Sequence, residues 1–276
     1  MIIIKYFKEI LTSPFHVIKN FFIYRHLLLQ MVTREIKGRF AGSMGGLLWN
    51  FIHPILMLVV YLFVFVYIFK MRVGSEAGAG TSVVYLIAGL FPWIMIAEGL
   101  SRGTSSLIEN ANLIQKTSFP VEILPAKAVI APLFSYGIAI LMLSAYKMIF
   151  SGSFAFFLIL PFIFLLQVIF TLGIAFFTAT LTVFFRDVMQ IMQVIINFWI
   201  YLTPILYPMN LLPDWAGRLM YLNPLYPVIT LYHDIFVDGR IGQWKMLSLS
   251  LGWSLGFFFI GAFVFNKLKY EFADWL

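Results

Sequence analysis

The chain of 276 residues contains no cysteine, which excludes disulfide bonds and metal sites built on thiolates. That absence says little about compartment, because a bilayer protein does not need such staples. Charge is scarce too: 11% of residues are Asp, Glu, Lys or Arg, and the acids number twelve. With 62% hydrophobic residues and a mean hydropathy of +0.94, the composition excludes a soluble domain of this length and defines an integral membrane protein.

Sequence patterns of common chemistries are missing as well. There is no G-x-x-x-x-G-K-[ST], and the Gly-rich stretch "GSEAGAGTS" at 74–82 lacks the lysine that a nucleotide phosphate requires. The five Asp and seven Glu are scattered, with no D-x-D for a metal-bound sugar nucleotide, and no G-x-S-x-G occurs. His16, His26, His53 and His233 have no ligand-like spacing. The chain therefore offers neither the parts of an enzyme nor a metal or nucleotide site of its own, and no nucleic-acid partner is expected. A glycan-processing membrane enzyme stays as the rival class, to be revived by two acids meeting in a cleft.

What the sequence does have is long apolar runs. Crossing about 30 Å of hydrocarbon takes about 20 helical residues. Six runs qualify, at about 47–69, 83–106, 126–149, 154–184, 188–208 and 246–266. The expected fold is thus all-α, a single transmembrane domain over 1–276 with both termini on one side. Thirteen of the Lys and Arg residues fall on the N-terminal side and six on the other, which places both termini in the cytoplasm. The opening "MIIIKYFKEILT" is broken by Lys5, Lys8 and Glu9 and has no A-x-A site, so no cleaved signal peptide is expected.

Two regions are neither span nor ordinary loop. Over 14–37, Ile18, Phe21, Phe22, Leu28, Leu29, Val32 and Ile36 share one helical arc, opposite Lys19, His26, Gln30, Thr33, Arg34 and Lys37. The pattern predicts an amphipathic helix in the membrane surface, its basic face toward lipid headgroups. Over 209–243, Pro213, Pro224 and Pro227 with Asp214, Asn223 and Asp234 interrupt an otherwise apolar segment. Short re-entrant or interfacial helices are expected there, where protein or a wet cavity satisfies the backbone.

Polar groups within spans come next. Asn50, His53 and Pro54 mark a predicted bend or break where the first span enters the bilayer. Glu98 and Arg102 stand one turn apart and predict a structural ion pair. Gln190, Gln193 and Asn197 share a face of the fifth span, predicted to meet another helix or a wet path. Asn50, His53, Tyr61, Trp199 and Tyr201 are the candidates to line such a path, the three rings because each joins a flat apolar face to a polar edge. In the cytoplasmic loop between the second and third spans, 107–120, a short helix over about 107–115 is expected to end before Pro120. Leu107, Leu113 and Ile114 would form its apolar surface, with Glu109 and Asn112 on its polar edge.

Four stretches, "VTREIKGRFAGSMGGLLWNFIHP", "NLIQKTSFPVEILP", "FFRDVMQI" and "YLNPLYPVI", in this order and spacing resemble the ABC-2 type permeases that export polysaccharides. The likeness covers nearly the whole chain. It is greatest to the O-antigen exporters, with capsule and teichoic acid exporters close behind. It implies a homodimer of permease chains in a bacterial inner membrane, two cytoplasmic ATPase subunits that bind ATP and Mg, and a lipid-linked glycan as cargo. The 107–120 loop, helped by Arg186 and Asp187, would be the coupling contact with the ATPase. Arg34, Lys37 and Arg39 would gather the diphosphate headgroup at its cytoplasmic entrance, with Gly38, Gly42, Gly45 and Gly46 turning the chain into the first span. A permease of the same fold moving a small lipid or a drug stays open as an alternative.

Overall fold

The computed structural model describes residues 2–38, 46–70, 79–117, 119–151, 155–239, 242 and 244–276, and among them every regular element is a helix. The first six α-helices of the described residues are α1 (Ile2–Ile23), α2 (Arg25–Gly38), α3 (Trp49–Tyr61), α4 (Ala79–Glu109), α5 (Ala111–Lys116) and α6 (Ile123–Ser151). There follow α7 (Ala155–Phe184), α8 (Val188–Trp199), α9 (Asp214–Leu219), α10 (Tyr226–His233), α11 (Trp244–Leu268) and α12 (Phe272–Trp275). Among the described residues, four of them, α4, α6, α7 and α11, are long and apolar enough to cross a membrane.

These four form the body of the molecule, with α7 packed on α4 and α11, and α6 on α4. Small residues make the close approach possible. A Cβ on Gly261 would run into the Gly173 carbonyl oxygen, and one on Gly173 into the backbone of Phe257 and Phe258. The α7–α11 crossing therefore tolerates no side chain at either position. On the other side of α7, Gly103 meets Ala175, where an added Cβ would lie 2.8 Å away, and the Thr104 and Thr178 hydroxyls share a 2.8 Å hydrogen bond. Higher in the same crossing, Gln167 donates to the Pro92 carbonyl and accepts from the Tyr232 hydroxyl at 2.7 Å. These buried groups thus have partners, as a low-dielectric interior demands, whereas the buried Ser250 and Ser254 hydroxyls of α11 have none among the described residues.

The N-terminal arm is helical across 14–37 but in two pieces, α1 and α2, which meet at Tyr24. α1 packs along α11, and α2 along α6. Gly38 ends α2, and Gly46 adopts a φ of +46° that glycine takes without strain. Arg39, Gly42 and Gly45 lie outside the described residues. The irregularity expected at Asn50 to Pro54 falls earlier, in a 3₁₀ turn at Gly46–Leu48, and α3 then runs unbroken through Pro54 to Tyr61. Beyond Tyr61 the helix widens over Leu62–Ile68, closing with the Phe69 N–H on the Val64 carbonyl at 2.9 Å.

The run expected over 188–208 is helical only as far as Trp199. From there the chain turns, because Pro204 and Pro208 cannot donate to a helix. Asn223 holds this turn: its Oδ1 accepts from the Trp199 indole at 2.9 Å and the Leu225 N–H at 3.0 Å, and its Nδ2 donates to the Leu202 carbonyl and Thr203 Oγ1, both at 2.9 Å. The Tyr85 hydroxyl reaches the Pro204 and Tyr207 carbonyls at 2.8 and 2.9 Å. Between residues 209 and 238 the chain forms the short helices α9 and α10 with one-turn pieces around them.

Candidate functional site

Two adjoining cavities gather most of the polar groups singled out above. The larger, about 910 Å³, is bounded by α3, α4, α6, α8 and the start of the turn after α8. α3 supplies His53 and Tyr61, α4 supplies Glu98, Ser101 and Arg102, and α8 supplies Gln193 and Asn197, with Tyr201 just beyond it. Polar residues spaced along single helix faces reach a common space this way. Ser101 donates to Gln193 at 3.2 Å across the space between α4 and α8. Tyr201 is 63% exposed, whereas Trp199 faces inward, edge-on to Trp93 and Phe170 with its N–H held by Asn223. Gln190, one turn before Gln193, is exposed and does not line the cavity. Asn50 lies in the first turn of α3.

Glu98 and Arg102 do pair, Oε1 to Nε at 2.8 Å, but they are only part of a larger network. Glu35 of α2 places Oε1 3.2 Å from Arg102 Nη1 and Oε2 3.1 Å from Lys127 Nζ of α6. One carboxylate therefore ties the N-terminal arm to two spans. Pairing over such sequence distance leaves no local spacing to read. The available signal is that Glu35 is the sole acid between Glu9 and Glu76, set among basic residues.

The second cavity, about 810 Å³, lies beneath this network, between α2 and the α4–α5 corner. Arg34, Arg102, Lys116 and Lys127 line it, against Glu35 and Glu109. Arg102 and Glu109 also line the first cavity, so the two spaces meet at these side chains. Arg34 and Lys37 are exposed on α2.

The corner itself is built locally. α4 ends at Glu109, where Asn110 leaves helical geometry and turns its amide to the Ser106 carbonyl at 2.8 Å. α5 then stops at Lys116, ahead of Pro120. Leu107 and Ile114, expected to face outward, are buried at 0% and 8% exposure, and Leu113 packs against the same core. The outward side of α5 is polar, with Asn112, Gln115 and Lys116 exposed. What covers the apolar side is the C-terminal tail: Phe272 of α12 is wholly buried in that cluster. α12 packs on α5 and α7, with Trp275 edge-on to Phe184 at 5.3 Å, next to the exposed Arg186–Asp187 turn. Glu122, 2% exposed, accepts from Lys269 at 2.6 Å and Asn20 at 3.1 Å, so α1, the α5–α6 loop and the end of α11 are tied at one carboxylate. Glu122, Lys269 and Phe272 escape a reading by periodicity because each lies outside any long repeat of apolar positions.

No group of three or more His, Cys, Asp or Glu able to hold a metal is present among the described residues. Apolar spans enclosing a cavity lined with polar and aromatic groups define the class: a multi-pass membrane protein of the transporter type. The chain belongs to the ABC-2 type transporter family, which matches it over residues 26–237. It is 27% identical over 260 residues to the O-antigen export system permease protein RfbA of Myxococcus xanthus, covering 93% of this chain and 98% of that one. A Klebsiella pneumoniae protein of the same description is 32% identical over 252 residues, 90% of this chain and 94% of its own. The polysialic acid transport protein KpsM of Escherichia coli is more distant, 22% identical over 235 residues, 84% of this chain and 89% of that one.

Proposed function

We propose that the chain is the permease subunit of an ATP-driven exporter that moves a lipid-linked polysaccharide of the O-antigen type out of the cytoplasm. The larger cavity carries this reading. Its lining mixes hydrogen-bonding groups, His53, Gln193 and Asn197, with the rings of Tyr61 and Tyr201, a surface on which a hydrated sugar polymer slides without being held. α3 and α8 flank it with apolar surface that the chain leaves uncovered, including Leu56, Val59 and Val60 on one side and Ile191, Val194 and Phe198 on the other. A second copy of the chain meeting these faces closes the path as a homodimer. α3 with its widened turn and α8 with the turn after it complete six spans across the inner membrane, both termini cytoplasmic.

The energy comes from two separate ATPase subunits that hold ATP and Mg. They dock on the polar outer side of α5 and on the Arg186–Asp187 turn, and α12 binds these two elements into one body that moves with the ATPase. The diphosphate of the cargo lipid meets the basic arm around Arg34 and Lys37 first.

Deleting the gene tests this. Export predicts that full-length lipid-linked glycan accumulates in the cytoplasm. A missing or shortened polymer would point to synthesis and overturn the reading.

A further inference from the structure

We propose that the cavity between α2 and the α4–α5 corner is a diphosphate-binding site in which the Glu35 carboxylate is a resident placeholder for the ligand, bridging Arg102 and Lys127 until the ligand displaces it. The inference rests on the export reading for the source of the diphosphate, and on geometry for the site itself.

Charge sets the ligand class. Four cations line the cavity, and once Glu35 is displaced the carboxylates left to them are Glu109 in the lining and Glu98 on Arg102, an excess of two positive charges. The diphosphate diester of a glycan-bearing lipid carries two negative ones. Arg34 and Lys116 take part in no ion pair among the described residues, so the carboxylates do not already consume the excess. Lys127 is largely buried, its side chain 12% exposed, and Glu35 is its only ion-pair partner among the described residues. An ammonium in that setting needs an anion against it at all times. Glu35 fills this need in the empty site, and a phosphate fills it better, with more acceptor oxygens and more charge.

Displacement has a mechanical consequence. Glu35 is the one ion-paired residue that ties α2 to both α4 and α6 among the described residues. A ligand that takes over Arg102 and Lys127 leaves α2 without that tie. Because Arg102 also lines the larger cavity, the group that receives the headgroup already borders the path. Headgroup arrival is thereby linked to release of the surface arm.

The test uses the complete permease–ATPase complex in nanodiscs and a fluorescent prenyl diphosphate. Glu35→Gln is expected to bind the probe roughly tenfold tighter, the scale of one removed charge contact at a partly buried site. Lys127→Gln is expected to bind it roughly tenfold weaker. A network that is merely structural would move both variants the same way, through loss of folding, so opposite signs are the signature even if both lower thermal stability. Glu109→Gln removes an equal charge from the same cavity without freeing a paired cation, and its affinity should change by less than about threefold. Probe binding should also speed hydrogen exchange in α2.

The idea is overturned if Glu35→Gln binds no tighter, or if Glu109→Gln matches it. Inorganic pyrophosphate should compete weakly; competition equal to that of the prenyl compound would overturn the lipid-headgroup source. The two readings fail separately. Absent accumulation of glycan with the opposite-sign signature intact sinks export and keeps the site, whereas accumulation without the signature does the reverse.

Discussion

The body formed by α4, α7 and α11 and the wall formed by α3 and α8 are both apolar helices, yet they are built by opposite rules. In the body, glycines at 173 and 261 bring backbones into contact, and the hydroxyls of Thr104 and Thr178 are bonded to each other. In the wall, large apolar side chains such as Leu56, Val60 and Phe198 are left uncovered while Gln193 and Asn197 face a cavity. Close packing gives a unit that moves as one piece, since packed interfaces do not deform continuously. A wall with few contacts can separate and reclose at small cost. Under the proposed export function this is a division of labour, a frame that transmits and a wall that admits.

The comparison can be broken from the frame side first. Gly261→Val should abolish accumulation of folded protein, because the new side chain has only the backbone around Gly173 to displace. Wild-type yield by size-exclusion chromatography in that variant would show that the α7–α11 crossing is not the rigid element. Phe272→Ala should cost about 3 kcal/mol, as for emptying a fully buried aromatic site. Since α12, which carries Phe272, packs on α5, limited proteolysis at the α5 loop should accelerate, and co-purification with the ATPase should fall with it.

Two smaller effects sharpen the contrast. Glu98→Gln should cost less than about 1 kcal/mol, as Arg102 is 42% exposed and keeps Glu35. The pH profile of export should be unchanged, and a shifted profile would instead assign Glu98 to proton handling. Gln193→Leu with Asn197→Leu should alter thermal stability by less than about 0.5 kcal/mol, since neither side chain is buried. Export should drop severalfold all the same, the opposite of a frame mutation.

Legibility in the sequence follows the same divide. Long apolar runs gave α4, α6, α7 and α11 nearly whole, because lipid imposes length and hydrophobicity on a spanning helix. The Glu98–Arg102 pair was legible because its spacing is one helical turn. Glu35 and Glu122 were not, because their partners lie 67 to 147 residues away and only tertiary packing brings them together. The apolar face expected at Leu107, Leu113 and Ile114 is divided between α4 and α5, and Leu107 and Ile114 are buried in a core that includes Phe272 of the chain's own α12. A face seen in sequence does not say who covers it. At the fifth run, hydropathy continued past Trp199 although Pro204 and Pro208 ended the helix, and a clasp by Asn223 replaced the missing backbone bonds.

The division between frame and wall is tested most directly by cross-linking, for which a chain without cysteine is a clean background. One variant carries Tyr61→Cys with Tyr201→Cys, both lining the cavity, bridged by a short bifunctional thiol reagent. The other carries Thr104→Cys with Thr178→Cys, joined within the frame where the native hydroxyls are 2.8 Å apart. Glycan transport into proteoliposomes is then measured for each with its ATPase partner and ATP. The prediction is that the bridge across the cavity stops transport while the frame bridge leaves it at the wild-type rate. Undiminished transport through a fully bridged Tyr61–Tyr201 variant would contradict the assignment of this cavity as the path.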